Sequence, residues 1–198
     1  MRLIVAFAGG KNFHLIHPSA DIKNAALKSI RAAFEYQGQK CSALSRVYVP
    51  KSRAEEFKKT LVRETEALSQ GEKFTDFSGP VISRSAFDRV ARYVKRAHED
   101  SQVTVLAGGK CDDSVGYFIR PTVVETTDPQ SPFMKEEIFG PFMCLYVYED
   151  EKFGPEIFEL IDGTTEYALT GAIFSKDRRA ISDAVDGLRF AAGNFYIK

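Results

Sequence analysis

The stretch GGKNFHLIHPSADIKNAALKSIRAAFEYQGQKCSALSRVYVP, residues 9–50, places a strand, a helix and a second strand in succession. "NFHLIH" reads as a short strand. Ile22, Ala25, Ala26, Ile30, Ala33 and Phe34 then recur at helical spacing behind Ser19 or Asp21 as the cap. The helix feeds a loop carrying Cys41, and "SRVYVP" is extended again. The pattern repeats outward. Residues 51–69 form a charged amphipathic helix with Phe57, Leu61 and Leu68 on one side, and Ser83 caps a helix containing Phe87, Val90, Ala91 and Val94. "QVTVLAGG" is a strand, "GYFIRPTVVE" is extended with Pro121 favouring an edge or a break, and "TTDPQSPFMKEEIFGP" is mostly loop. "FMCLYVYE", a helix over 154–162, "LTGAIFS", a helix over 177–188 and "GNFYI" complete the chain. Strands alternating with helices along the whole length predict a three-layer α/β/α domain with a mainly parallel sheet.

At 198 residues with 44% hydrophobic side chains, the composition suits one ordinary globular core. Lys plus Arg and Asp plus Glu both number 27, so the basic stripe of a nucleic-acid binder is missing. Apolar runs fall short of the roughly 20 residues of a membrane span. The three cysteines, Cys41, Cys111 and Cys144, are scattered without a C-x-x-C pair, which argues against a disulfide framework or a thiolate metal site and for a reducing compartment.

Two readings of Cys41 stand side by side. Free cysteine is usually a small buried side chain, whereas a nucleophilic one must be accessible and stabilised as thiolate. A Cys–His hydrolase is disfavoured, because His14 and His17 point to opposite faces of their strand and His98 sits late in a helix, where the dipole favours it. Gly9-Gly10 precedes a strand and lacks phosphate-loop spacing, which leaves a tight turn where backbone passes close to something. Glu136-Glu137 reads as a solvated acidic step or as a carboxylate aimed at a ligand hydroxyl.

In order and spacing, "GGKNF", "FEYQGQKCSA", "KEEIFGP", "LTGAIFS" and "AAGNFYI" resemble the aldehyde dehydrogenase superfamily, and the wording around them resembles its eukaryotic pyrroline-5-carboxylate (glutamate-γ-semialdehyde) dehydrogenases of proline breakdown. The resemblance implies an NAD-dependent oxidoreductase acting on a small aldehyde. Cys41 is then the catalytic thiol, passing through a thiohemiacetal and a thioester, with its own N–H as an oxyanion donor. Ser42 lies against the substrate, Glu137 holds the nicotinamide ribose, and Phe139 lies beside the nicotinamide. The same resemblance implies a homo-oligomeric family and a mitochondrial matrix location.

Two departures accompany it. Family members carry a general-base Glu two residues before the Gly-Gly, where this chain has Phe7. Residues 1–198 correspond to the catalytic domain alone, without the N-terminal NAD-binding domain, the C-terminal substrate-anchoring segment or the oligomerisation strand. Other classes consistent with the residues are a non-catalytic module and a residual thiol esterase.

Overall fold

The computed structural model describes residues 9–198; Phe7 lies outside them. Seven strands form the main sheet: β1 (Asn12–Ile16), β2 (Leu44–Pro50), β3 (Val103–Ala107), β6 (Thr122–Thr126), β7 (Phe142–Tyr148), β8 (Thr170–Phe174) and β9 (Asn194–Ile197). They lie in the order β3-β6-β7-β2-β1-β8-β9, all pairing in parallel except β3, which runs antiparallel to β6. A separate ribbon joins β4 (Cys111–Asp112) to β5 (Phe118–Ile119).

Both faces of the parallel strands carry apolar side chains and both are covered by helices. On β1, Phe13 and Leu15 enter one core and Ile16 the other. The Ile16 side is closed by α1 (Ile22–Phe34) and α2 (Ala54–Glu66), through Ile30, Phe34, Phe57 and Leu61. The other side is closed by α3 (Arg84–Glu99), the short α4 (Pro132–Lys135), α5 (Pro155–Gly163) and α6 (Arg178–Gly187). These are the three layers and the mainly parallel sheet that the alternation predicts.

Local details refine the expectations. Asp21, not Ser19, caps α1, accepting from the Asn24 N–H at 3.0 Å. Ser19 instead accepts from the N–H groups of Lys176 and Asp177. The helix expected over 51–69 opens as a 3₁₀ turn and ends at Glu66, so Leu68 packs on the same core from beyond the helix. Pro121 breaks the chain between β5 and β6, and β6 is an interior strand rather than an edge.

One buried side chain opposes the fold. Lys11 is 1% exposed, and its Nζ has no hydrogen-bond partner among the described residues. Burial pushes its pKa down from 10.5 to about 7, with Arg46 adding to the depression and Cys144, Glu136 and Glu137 opposing it. Between about 7 and 10.5 the unfolded chain therefore binds more protons than the folded one, so this residue's contribution makes stability rise with pH across that window. Below it both states are protonated and the penalty is complete. Lys11→Met is expected to stabilise the protein at and below neutral pH by roughly 1–3 kcal/mol, the cost of an unsatisfied buried polar group, and to flatten this rise. Urea denaturation on either side of the window measures it; parallel pH dependences for the two proteins would refute it.

Candidate active site

The residues singled out in the sequence converge at the amino ends of β1, β2, β7 and β8. This departs from the usual placement of ligands beyond the carboxyl ends of parallel strands. Four loops meet there: residues 9–11 before β1, residues 37–43 before β2, residues 136–141 before β7, and Leu169 before β8.

Cys41 is exposed, in a turn closed by the Ala43 N–H donating to the Lys40 carbonyl at 2.9 Å. Entry into that loop needs three consecutive residues at positive φ, Tyr36, Gln37 and Gly38. Gly38 is obligatory twice over, because a Cβ there would overlap the Gly140 carbonyl. The Gln39 side chain fixes the loop further, its Oε1 accepting from the Ile82 N–H at 3.0 Å. From the other side Gly10 packs so closely that a Cβ would overlap the Cys41 carbonyl oxygen. This is the close backbone passage that Gly-Gly suggested.

Glu137 reaches the same place from a loop 127 residues away. Its Oε1 accepts the Gly10 N–H at 2.8 Å. The loop is held by α3: Arg89 donates from Nε to the Ile138 carbonyl at 2.9 Å and from Nη2 to the Phe139 carbonyl at 3.3 Å. The Tyr93 hydroxyl donates to Glu136 at 2.6 Å, and burial together with that bond pushes the Tyr93 pKa up to about 12. Glu136 is thereby the tether and Glu137 the carboxylate facing Gly10. Phe139 has a φ of 56° and is 38% exposed as a residue, a strained presentation of the kind found at ligand sites.

A narrow slot runs between these loops, walled by Gly10, Lys40, Ala43, Glu137 and Phe139. Its volume is about 10 Å³, room for one water at most. On the far side of the Cys41 loop lies an open groove of about 330 Å³, lined by Ser42, Thr170 and His14 and rimmed by Lys28, Arg31, Lys40 and Lys198 against one acid, Glu35. Glu35 pairs with Lys40 at 2.8 Å and Arg31 at 3.3 Å, and the hydrogen bond to Lys40 holds its carboxyl below the usual range. Lys40 borders both slot and groove, and it and Ser42, the two neighbours of Cys41 in sequence, both line the groove.

No histidine hydrogen-bonds Cys41 among the described residues. His14 Nδ1 meets Ser29 Oγ at 2.9 Å, while the Ser29 hydroxyl donates to the Ala25 carbonyl. The ring must therefore carry its proton on Nδ1, and burial pushes its pKa down to about 3. His17 bonds Ser19 and packs edge-on against Phe153 on the opposite face of the sheet, and His98 Nε2 meets the Gly109 carbonyl. Cys111 is exposed on the small ribbon and Cys144 is buried in the sheet, its thiol pushed up to about 12 by burial. No cluster of metal-ligating side chains occurs among the described residues, and no helix among them is long and apolar enough to cross a membrane.

The residues fit the nicotinamide-ribose end of a dinucleotide. Glu137 Oε2 is left beside Gly9, where a Cβ would lie at 3.4 Å, and Phe139 offers an exposed ring. The slot has no space for the rest of the cofactor.

Sequence reasoning missed Asn12, Arg89, Tyr93 and Gly38. Asn12 and Arg89 read as ordinary strand and helix residues, and their partners lie 29 or more positions away. Only Gly38, a glycine closing a helix, carried a local signal.

The sequence model of the aldehyde dehydrogenase family matches residues 2–198. The mitochondrial delta-1-pyrroline-5-carboxylate dehydrogenase of Homo sapiens is 50% identical over 192 residues, covering 96% of this chain and 34% of that protein. That of Emericella nidulans is 50% identical over 198 residues, covering 98% and 35%. Among solved structures, the delta-pyrroline-5-carboxylate dehydrogenase from Mycobacterium tuberculosis bound with NAD superposes with a TM-score of 0.89 at 41% identity, over 96% of this chain and 35% of that one. The chain thus spans about a third of the length of the relatives it matches, and it belongs to the aldehyde dehydrogenase family.

Proposed function

We propose that this chain is the catalytic domain of an NAD-dependent dehydrogenase that oxidises glutamate-γ-semialdehyde to glutamate. The observation carrying this is the 50% identity, over 96% of the chain, to a human enzyme named for pyrroline-5-carboxylate. The basic rim supports the substrate class: four cations against a single, already paired acid favour an aldehyde that bears a carboxylate. The mitochondrial names of the human and fungal relatives support a mitochondrial location.

In this reading Cys41 is the nucleophile, and its exposure gives an aldehyde access to the sulfur. Thiolate attack on the carbonyl carbon forms a thiohemiacetal whose oxyanion takes the Cys41 N–H, a donor with no acceptor of its own among the described residues. Ser42 and Lys40 line the groove and orient the substrate's polar end. Glu137 would hold the ribose hydroxyls of the cofactor, and Phe139 would offer its ring to the nicotinamide. Bound NAD supplies the hydride acceptor; loss of hydride leaves a thioester on Cys41, which water hydrolyses.

The test is NADH formation by an enzyme carrying this chain within the remainder of an aldehyde dehydrogenase. Glutamate-γ-semialdehyde is expected to give the highest kcat/KM in a panel that includes uncharged and cationic aldehydes. A preference for an uncharged aldehyde would overturn the assignment.

A further inference from the structure

Asn12 is 1% exposed and uses every hydrogen-bonding position of its amide. Nδ2 donates to the Cys41 carbonyl at 2.9 Å and to the Ala43 carbonyl at 2.7 Å. Oδ1 accepts from the Leu169 N–H at 2.9 Å and the Thr170 N–H at 2.8 Å. Two acceptors on one end and two donors on the other fix the amide's orientation. The carbonyls it grips flank Ser42, and the Ser42 carbonyl is met by Thr170 Oγ1 at 3.3 Å, so the three carbonyls of residues 41–43 all point at Asn12 or at the segment it anchors.

We infer that Asn12 is a positioning residue for the oxidation: it sets the backbone of the Cys41 turn, and with it the direction of the thiol and of the Cys41 N–H, by clamping that turn to the start of β8. The inference rests on the reading of Cys41 as nucleophile. The other ties do not set that direction: Gln39 holds the loop two residues before Cys41, and the Thr170 hydroxyl on the Ser42 carbonyl starts from the segment that Asn12 itself anchors. Gly10 limits the Cys41 carbonyl by contact alone, and the Ala43-to-Lys40 bond closes the turn without tying it to the sheet. A side chain whose backbone lies in β1 thus determines geometry 29 residues away, and reacting groups are sensitive to displacements of about 1 Å.

Asn12→Asp separates the two halves of the clamp. The carboxylate keeps the acceptor for Leu169 and Thr170, but it cannot donate and it repels the Cys41 and Ala43 carbonyls and the nearby thiolate. The chain contains its own controls, since Cys111 is exposed and Cys144 is buried. Iodoacetamide labelling resolved by peptide mass spectrometry is expected to show the Cys41-to-Cys111 rate ratio falling about tenfold while Cys144 stays protected. Within the longer enzyme, kcat is expected to fall by roughly 10–100-fold with KM for NAD little changed. If Cys144 becomes reactive, the variant has unfolded and Asn12→Ser, uncharged and too short to span both carbonyls, replaces it with the same kcat expectation.

A wild-type labelling ratio in a folded Asn12→Asp, or a wild-type kcat in a folded Asn12→Ser, would overturn the inference. Labelling uses neither aldehyde nor NAD, so a wrong substrate assignment leaves that result standing. An altered ratio with Cys41→Ala retaining full aldehyde oxidation would instead strike the reading of Cys41.

Discussion

Cys41→Ala is expected to lower NADH formation by at least about 10⁴-fold in an enzyme carrying this chain, the scale on which removal of a covalent nucleophile acts. Stability should stay within about 0.5 kcal/mol of the parent, because the side chain is exposed and makes no hydrogen bond among the described residues. The two effects together distinguish a chemical role from a structural one. Cys111→Ala, on the small ribbon, is the matched control and is expected to leave the rate unchanged. In the isolated chain the same substitution at Cys41 should remove turnover of an activated ester, since that thiol can be acylated without any cofactor. Retention of the NADH burst in Cys41→Ala would end the nucleophile assignment. Retention of ester turnover alone would show only that the ester reacts elsewhere, at Cys111 first of all.

The layers of the fold were legible because they depend on short-range periodicity. Ile22, Ala25, Ala26 and Ile30 recur at helical spacing, and the alternation of such segments with "NFHLI", "LSRVYVP" and "TGAIF" leaves a covered parallel sheet as the consistent solution. The site was legible only through resemblance, and what resemblance did not carry was invisible for a physical reason. Asn12 and Arg46 sit in buried strands where apolar side chains are expected, and Lys11 is buried in the loop just before β1. Arg46 is accepted because its guanidinium donates to the Lys11 and Ile161 carbonyls and the Tyr48 hydroxyl and lies over the Phe13 ring. Those partners are up to 115 residues away from it in sequence, and no local pattern encodes such a set. The same holds for the amino-end location of the site. It follows from which loops carry the close contacts, namely Gly10 on Cys41 and Gly38 on Gly140, and strand order is fixed before any of those contacts is specified.

Phe7→Glu is expected to act on one half of the reaction only. Phe7 occupies the place, two residues before Gly9-Gly10, where the family resemblance puts the general base for thioester hydrolysis. A phenyl ring takes no proton, so in an enzyme carrying this chain unchanged, acylation and hydride transfer should proceed while the thioester on Cys41 persists. The groups assigned to the first half, Cys41 with its N–H, Glu137 and Phe139, lie on loops brought together among the described residues. A positioned general base contributes typically about 10²–10⁴-fold to the step whose proton it takes. Steady-state NADH formation should therefore rise by that order in Phe7→Glu, while the rate and amplitude of the first-turnover burst stay within about twofold. Rapid-mixing kinetics separates the two phases, and mass spectrometry of the acid-quenched enzyme reports the acyl group on Cys41 directly: abundant in the parent with Phe7, scarce in the Phe7→Glu variant. Equal steady-state rates for the two proteins would place the base elsewhere, and a burst that appears only in Phe7→Glu would mean that residue 7 serves thiol activation rather than hydrolysis.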